Sequence, residues 1–490
     1  MVWVIEKTWA RSCAPRLKSL WRFTPGLGPE WGSGGIFGLR YHKGVLYFNL
    51  AFEARAHFIR GDDVKVYDYS LIGPSPASGG DTYNAVCAAD DRIYFGGWVH
   101  APAVISKDGV LHFHNKYSHV HCYDLNDDKV SLLWKEGIGH KMEWAGEVSE
   151  VIYNALNQEL LLARADGHKN LGIFNLSPSN GQAKQLSEAP GLHGTLFMDH
   201  AVFNTGGVFM DGIQMIGLSD YAVKKTGLDL SGGISLDGGP VAATFVGSMS
   251  STAGRLFSFV RGGLFFGDPL SSAEEDRMRF VRLFDFPGYQ CSPYRANSLP
   301  IGGGIMTAYS SLPDLLGYEH QPIAMPSLLV YVTPPSIRVI GAFGCRITSL
   351  ETISSDLLVA ANTMPNVSNY RTTVLDTGHR DIMSMRLDVI NKRPPPLDLT
   401  LSAREFGTSH WGGIPLYGYR EASMVVQSNR DNSIESFEYD LSVPPASAAW
   451  KESFKLTRGR TKLDLSSLRG IVSFRLSRPD PLARISIRLA

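Results

Sequence analysis

An excess of charge is the first thing this sequence lacks. Its 490 residues carry 47 Lys and Arg against 47 Asp and Glu, so the formal net charge is zero. A chain balanced in this way has no overall attraction to nucleic acid or acidic lipid, and no nucleic-acid partner is expected. Cysteine is scarce as well. The five residues, at 13, 87, 122, 291 and 345, are scattered and never form a C-x-x-C pair. That pattern argues against a disulfide framework and for reduced, mostly buried thiols in a cytoplasmic protein. No apolar run approaches the roughly 18 residues of a membrane span. The opening Met-Val-Trp-Val-Ile-Glu-Lys places charge where a secretion signal needs an apolar core, so neither a span nor export is expected.

Motifs of common enzyme classes are missing too. No Gly-Lys pair occurs, which removes the phosphate-binding P-loop. His-Glu-x-x-His and Gly-x-Ser-x-Gly are absent, the latter also at Gly407-Thr-Ser-His-Trp. The run Gly32-Ser-Gly-Gly-Ile-Phe-Gly lacks the glycine spacing and the preceding strand of a dinucleotide loop. No cofactor is identified.

What the chain does have is turn chemistry: 50 Gly and 27 Pro, within a composition 44% apolar and 19% charged. This is globular composition that favours many short strands over long helices. Glu143–Pro190 shows the pattern best. Four strand-like runs, Glu147–Ala155, Glu159–Arg164, Leu171–Leu176 and Gln182–Leu186, are separated by Asn157-Gln158, Asp166-Gly167 and Pro178-Ser-Asn-Gly181. A unit of this size cannot bury both faces alone and must stack against copies of itself.

The copies are found by aligning second strands, which start at Gly44, Arg92, Glu159, His200, Arg255, Gly304 and Asp356. Third strands are expected at Lys65–Asp68, His119–Leu125, Leu171–Leu176, Gln214–Leu218, Arg279–Phe284, Leu328–Val332 and Ser384–Val389. A spacing near fifty residues, with apolar inner strands decaying to a polar outer one, is that of an all-β propeller. Seven four-stranded blades are expected over residues 32–391, with six or eight as alternatives and an insertion around Asp108–Ser118. Residues 1–31, rich in Trp, form a lead-in that caps one end of the core or closes the ring. After the stiff Lys392-Arg-Pro-Pro-Pro break, residues 398–490 are expected to form a small β-sandwich-like module, part of which could instead complete the last blade. Between Lys451 and Ala490 ten basic residues face three acidic ones, so this module is a candidate for docking a protein partner.

In a propeller, the segments entering the innermost strands and the loops between second and third strands open on one face around the central channel. Those positions are unusually polar here. Glu147, Glu150, Asp237 and Arg295 are the catalytic candidates, since paired carboxylates beside a guanidinium suit acid–base hydrolysis of a sugar or lactone. Glu53, His57, Asp81, His100, Asp166, His168, His193 and Arg346 are the ligand-binding candidates. A divalent metal held by His57, His100, His168, His193 and Glu147 is an alternative, although none of these stands at a diagnostic ligand spacing. His112/His114 and His119/His121 each lie on one strand face, as a surface pair or a structural cluster. A small molecule or glycan at this mouth is the leading expectation, and a non-catalytic interaction scaffold is the alternative.

Gly28-Pro-Glu-Trp-Gly-Ser-Gly-Gly-Ile-Phe-Gly-Leu, continuing through Tyr41-His-Lys-Gly-Val-Leu-Tyr-Phe, resembles an archaeal family of uncharacterised proteins. The resemblance runs along much of the repeat region. It implies an archaeal origin and neither an activity nor a catalytic residue.

Overall fold

Each repeat folds as an antiparallel sheet because its strands are short, apolar and joined by tight turns. The computed structural model describes residues 18–23 (backbone), 35–51, 53–72, 78–100, 104–105, 111–112, 116–139, 143–226, 235–239, 246–273, 276–286, 291–293, 295–311, 327–362, 380–404, 406–442 and 450–490. Among them, seven sheets of four or five strands follow one another, over residues 36–68, 78–137, 147–187, 194–225, 246–282, 291–343 and 346–386. They are called blades 1 to 7 below. The inner strands of successive blades pack on one another, and Ile36–His42 packs on Arg346–Ile353, so the ring closes as a β-propeller.

All seven aligned second strands are the second strands of their sheets. Two expected third strands are corrected. Asp63–Asp68 and Arg279–Arg282 are outermost strands, and the third strands of blades 1 and 5 are Arg55–Arg60 and Gly263–Gly267. In both blades a two-residue turn, Gly61-Asp62 or Arg261-Gly262, joins the third strand to a neighbour and leaves little turn signal to mark it.

The last blade is completed by the N-terminal strand Lys18–Phe23, paired antiparallel with Arg380–Arg386, and not by the C-terminal region. Strand pairing between the two ends of a ring removes an open seam.

The outer strands decay as solvent contact requires. Asp63–Asp68 exposes alternate residues, whereas Val45–Leu50 is buried throughout. Cys122, Cys291 and Cys345 are buried and Cys87 is half-buried. Burial pushes Cys87 and Cys291 up to about 12, where a thiol is inert. No helix among the described residues is long and apolar enough to cross a membrane.

Residues 397–489 form two facing four-stranded sheets. Leu397–Ser402, Arg484–Leu489, Ala422–Ser428 and Gly459–Asp464 make one, and Trp411–Pro415, Ile471–Leu476, Asn432–Tyr439 and Trp450–Leu456 the other. Arg484–Leu489 alternates exposed and buried along its length, so one face is wet and one dry. The apolar filling of this sandwich is continuous with that of blades 5 and 6, through residues such as Phe259, Tyr309, Val339 and Trp411.

Candidate functional site

The segment Asp81–Asn84 enters the second blade, and it does not stay within that blade. Asn84 has φ +64°, a left-handed conformation that Asn tolerates better than most residues. The turn sends its side chain across the ring. Its Nδ2 donates to the carbonyls of Arg295 at 2.7 Å and Thr348 at 3.2 Å, and its Oδ1 accepts from the Gly38 amide at 2.8 Å. Asn49 of blade 1 holds the other end, donating to the Asp81 carbonyl at 3.2 Å and accepting the Asp81 amide at 3.3 Å. Thr82 and Tyr83 reach blade 3, through Glu147 Oε1 (2.9 Å from Thr82 Oγ1) and Asp166 Oδ2 (3.1 Å from Tyr83 Oη). The mouth expected to be an open polar channel is therefore plugged by the chain itself.

Four of the expected residues meet around this plug: Asp81, Glu147, Asp166 and Arg295. Glu147 is buried, with Lys116 Nζ 3.5 Å from its Oε2. Burial pushes its carboxyl up to about 7; Lys116 and Arg295 oppose the shift and Asp166 adds to it. Asp81 is also raised by burial, and its Oδ2 has no hydrogen-bond partner among the described residues. The Arg295 guanidinium lies 4.8 Å from the centre of the Tyr83 ring, a cation–π placement. Asp166 and Arg295 are half-buried, so this end of the cluster meets solvent.

Three residues of this cluster carry no expectation from sequence: Lys116, Tyr83 and Trp144. Trp144 donates from its indole Nε1 to the Asp166 carbonyl at 2.9 Å, and the exposed His168 stands edge-on to its ring at 4.2 Å. Lys116 sits 5.0 Å from the Trp98 ring and 5.8 Å from that of Trp144. A search weighted toward polar turn positions passes over aromatic residues. The available signal was position, since Trp144 lies three residues before the first residue of the innermost strand of blade 3.

The other candidates lie apart. Glu150 turns to the next blade boundary, where its Oε2 meets His193 Nδ1 at 3.4 Å and the Gly194 amide at 3.3 Å. Glu147 and Glu150 thus do not form the carboxylate pair expected for hydrolysis. A bulge in pairing between Val148 and Glu150 accompanies this divergence. Glu53 pairs with Arg380 of blade 7, and His57 lies inside the third strand of blade 1, stacked on Phe48 at 4.8 Å. Burial holds His57 down to about 4, so it is neutral at physiological pH. Arg346 is buried with its guanidinium 6.0 Å from the centre of the Phe37 ring. The side chain of His100 and all of His114 lie outside the described residues. His119 and His121 are fully buried against Tyr69 and Phe95, an interior cluster rather than a surface pair.

Asp237 leaves the channel altogether. It bonds Arg282 on the outermost strand of blade 5 at 2.7 Å and lies 3.6 Å from His410 of the sandwich. Among the described residues no group of three or more His, Cys, Asp or Glu side chains is arranged to hold a metal ion.

A family profile described as an uncharacterized protein conserved in archaea (DUF2139) matches residues 46–370. The chain belongs to that family. The DUF2139 match runs from the second strand of blade 1 past the second strand of blade 7, so every channel residue named above except Gly38, Phe37 and Arg380 falls inside it. No curated protein matches the sequence. Among solved structures, this DUF2139 chain is similar to Trypanosoma rangeli sialidase at 8% identity, covering 97% of this chain and 96% of that one with a TM-score of 0.40. It is similar to a chain of a nidogen/laminin complex at 10% identity, covering 37% of this chain and 57% of that one with a TM-score of 0.25. It is similar to the tricorn protease at 10% identity, covering 76% of this chain and 37% of that one with a TM-score of 0.40. The chain thus spans little more than half of the nidogen/laminin chain and about a third of the tricorn chain. At these identities and scores the likenesses say nothing of activity.

Proposed function

We propose that this propeller binds a small polar ligand, a saccharide or sugar lactone in class, on the surface formed by Trp144, His168, Asp166 and Arg295 over the channel plug. The observation that carries this reading is the Tyr83–Asp166–Trp144 linkage. One aromatic hydroxyl and one indole fix opposite ends of Asp166, while Arg295 is held against the Tyr83 ring. Half-buried aromatic, acidic and guanidinium groups fixed by their neighbours are what recognition of a polyhydroxyl ligand needs, because little ordering remains to be done on binding.

A hydrolytic reading is favoured by one further observation: the Glu147 carboxyl, titrating near neutrality below this surface, has the affinity for protons that suits a general acid. The test is calorimetry of the full chain against a panel of neutral and acidic oligosaccharides and sugar lactones. Trp144→Ala and Asp166→Asn should abolish binding of any hit without lowering the melting temperature by more than a few degrees. Glu147→Gln should preserve binding and abolish turnover of that hit. Wild-type behaviour of all three variants throughout the panel would remove the reading.

A further inference from the structure

A groove lies where the sandwich meets blade 6. Arg338, Tyr417, Gly418, Tyr419, Arg420 and Arg469 line it, and its volume is about 470 Å³. That is within the range of small-ligand pockets. Its three arginines come from three separate elements: the outermost strand of blade 6 and two turns of the sandwich. No acid is among the lining residues.

Two of the guanidinia, those of Arg338 and Arg469, are held by main-chain carbonyls. Arg338 donates to the Ile390 carbonyl at 2.7 Å and the Lys392 carbonyl at 2.5 Å, both in the connector between propeller and sandwich. Those bonds fix its plane, which lies 5.8 Å from the centre of the Tyr417 ring. Arg469 donates through Nη1 to the carbonyls of Ser466 at 2.5 Å and Leu468 at 3.0 Å. These main-chain acceptors leave its charge uncompensated. Glu438 borders the turn, but its Oε1 accepts the amides of Arg469 and Gly470, each at 2.6 Å. Among the described residues, none of the three arginines has an ion-pair partner.

Three like charges brought into one groove repel one another unless an anion lies between them. The fork of a guanidinium matches oxyanions with several acceptor oxygens. A phosphoryl group offers acceptors on three sides, as the three arginines require, where a single carboxylate offers two. The Tyr417 ring, 46% exposed, adds a flat apolar wall beside them. Gly418, at φ +92°, keeps the turn close against the connector, since a Cβ there would come within 3.0 Å of Pro394.

We propose that this seam is a binding site for a small phosphoryl-bearing ligand, which would brace the sandwich against the propeller. Calorimetry of the full chain with pyrophosphate, ADP and glucose 6-phosphate tests it, at constant ionic strength. The expected result is saturable one-to-one binding of at least one probe, with a raised melting temperature. Arg420→Ala and Arg469→Ala should each weaken it about tenfold. Arg458→Ala, an exposed arginine outside the groove, should leave it unchanged. ADP and glucose 6-phosphate separate a nucleotide from a sugar phosphate as the source. No saturable binding to the wild type, or equal loss in Arg458→Ala, overturns the proposal. Saccharide binding at Trp144 is independent of either outcome.

Discussion

The side-chain amide of Asn84 donates to the main-chain carbonyl of Arg295 at 2.7 Å, joining blade 2 to blade 6 across the ring. The same side chain serves Gly38 of blade 1 and Thr348 of blade 7. Its partners stand 46, 211 and 264 residues away in sequence. One polar side chain therefore ties three other blades to the second at the centre of the ring. The surface above it is shaped by what that side chain fixes: the backbone of Arg295 on one side and, through Tyr83, the carboxylate of Asp166 on the other.

Removing that side chain should loosen several blades together. Asn84→Ala strands two carbonyls and one amide in the interior and puts alanine, which tolerates the left-handed region less well than asparagine, at φ +64°. Together these should cost about 3–5 kcal/mol. Asn84→Gly loses the same hydrogen bonds without the backbone strain and should be milder by about 1 kcal/mol. Urea denaturation compares the two. Wild-type midpoints for both would mean that the plug contributes nothing.

Much of the ring was legible because its second strands are continuous apolar runs, from Val45–Leu50 to Asp356–Asn362, and those runs need no distant information. Ring closure by the N-terminal region stood only as one of two readings, and the pairing of Lys18–Phe23 was not legible, because its partner lies more than 350 residues away and nothing local marks it. Asp81, Glu147, Asp166 and Arg295 were found by their position at strand ends. Lys116 was missed because it falls within the stretch read as an insertion, and Trp144 because an aromatic residue at such a position reads as core. Asp237 was misplaced because it precedes the first strand of blade 5 and so looked like a channel residue. Its pairing with Arg282 depends on the sandwich covering that blade, which no local pattern reveals.

Glu147 should make folding stability depend on pH in a direction unusual for a carboxylate. Its folded value near 7 lies above the ordinary 4.5. Between those values the unfolded chain releases the proton and the folded one keeps it. The contribution is therefore full below about pH 4.5 and is lost as pH rises through about 7, by on the order of 3 kcal/mol. Glu147→Gln removes this dependence. The stability of the variant relative to wild type should improve between about pH 5 and pH 7.5, and the subtraction cancels the similar contribution of Asp81. A gap that stays flat across that window would show that the Glu147 carboxyl titrates normally.

Asp237 should behave in the opposite sense. Burial alone would raise its carboxyl, but the nearby His410 imidazole and the Arg282 guanidinium outweigh that and hold it well below the ordinary range. Its contribution is present above the unfolded value of about 3.8 and is lost as pH falls below it. Asp237→Asn removes one of the two carboxylates facing Arg282, the other being Asp285, and should cost about 2–4 kcal/mol at neutral pH. The damage should fall on the seam. Hydrogen exchange should quicken in Trp411–Pro415 and Arg279–Arg282 while Glu147–Asn154 stays protected. Uniform quickening across all three strands would contradict a role confined to the sandwich contact.

Gly413 gives that contact its closest approach. Its carbonyl accepts the Phe284 amide at 3.1 Å, and the neighbouring Gly412 exchanges hydrogen bonds with Asp285 at 2.7 and 2.8 Å. At φ +68°, a β-carbon on Gly413 would fall 2.3 Å from the Arg282 carbonyl oxygen, which is backbone and cannot swing aside. Gly413→Ala must therefore either push the sandwich off blade 5 or strain both chains, and should cost well over the 1 kcal/mol or so of left-handed strain alone. Gly407 is the internal control. It has φ +54°, and a β-carbon added there would meet no atom within 4 Å, so Gly407→Ala carries the backbone term without the clash. Thermal melts of the two variants should differ by several degrees, with Gly413→Ala the lower. Equal melting temperatures would mean that the seam yields freely at this point and that Gly413 is there for its turn, not for the approach of the two units.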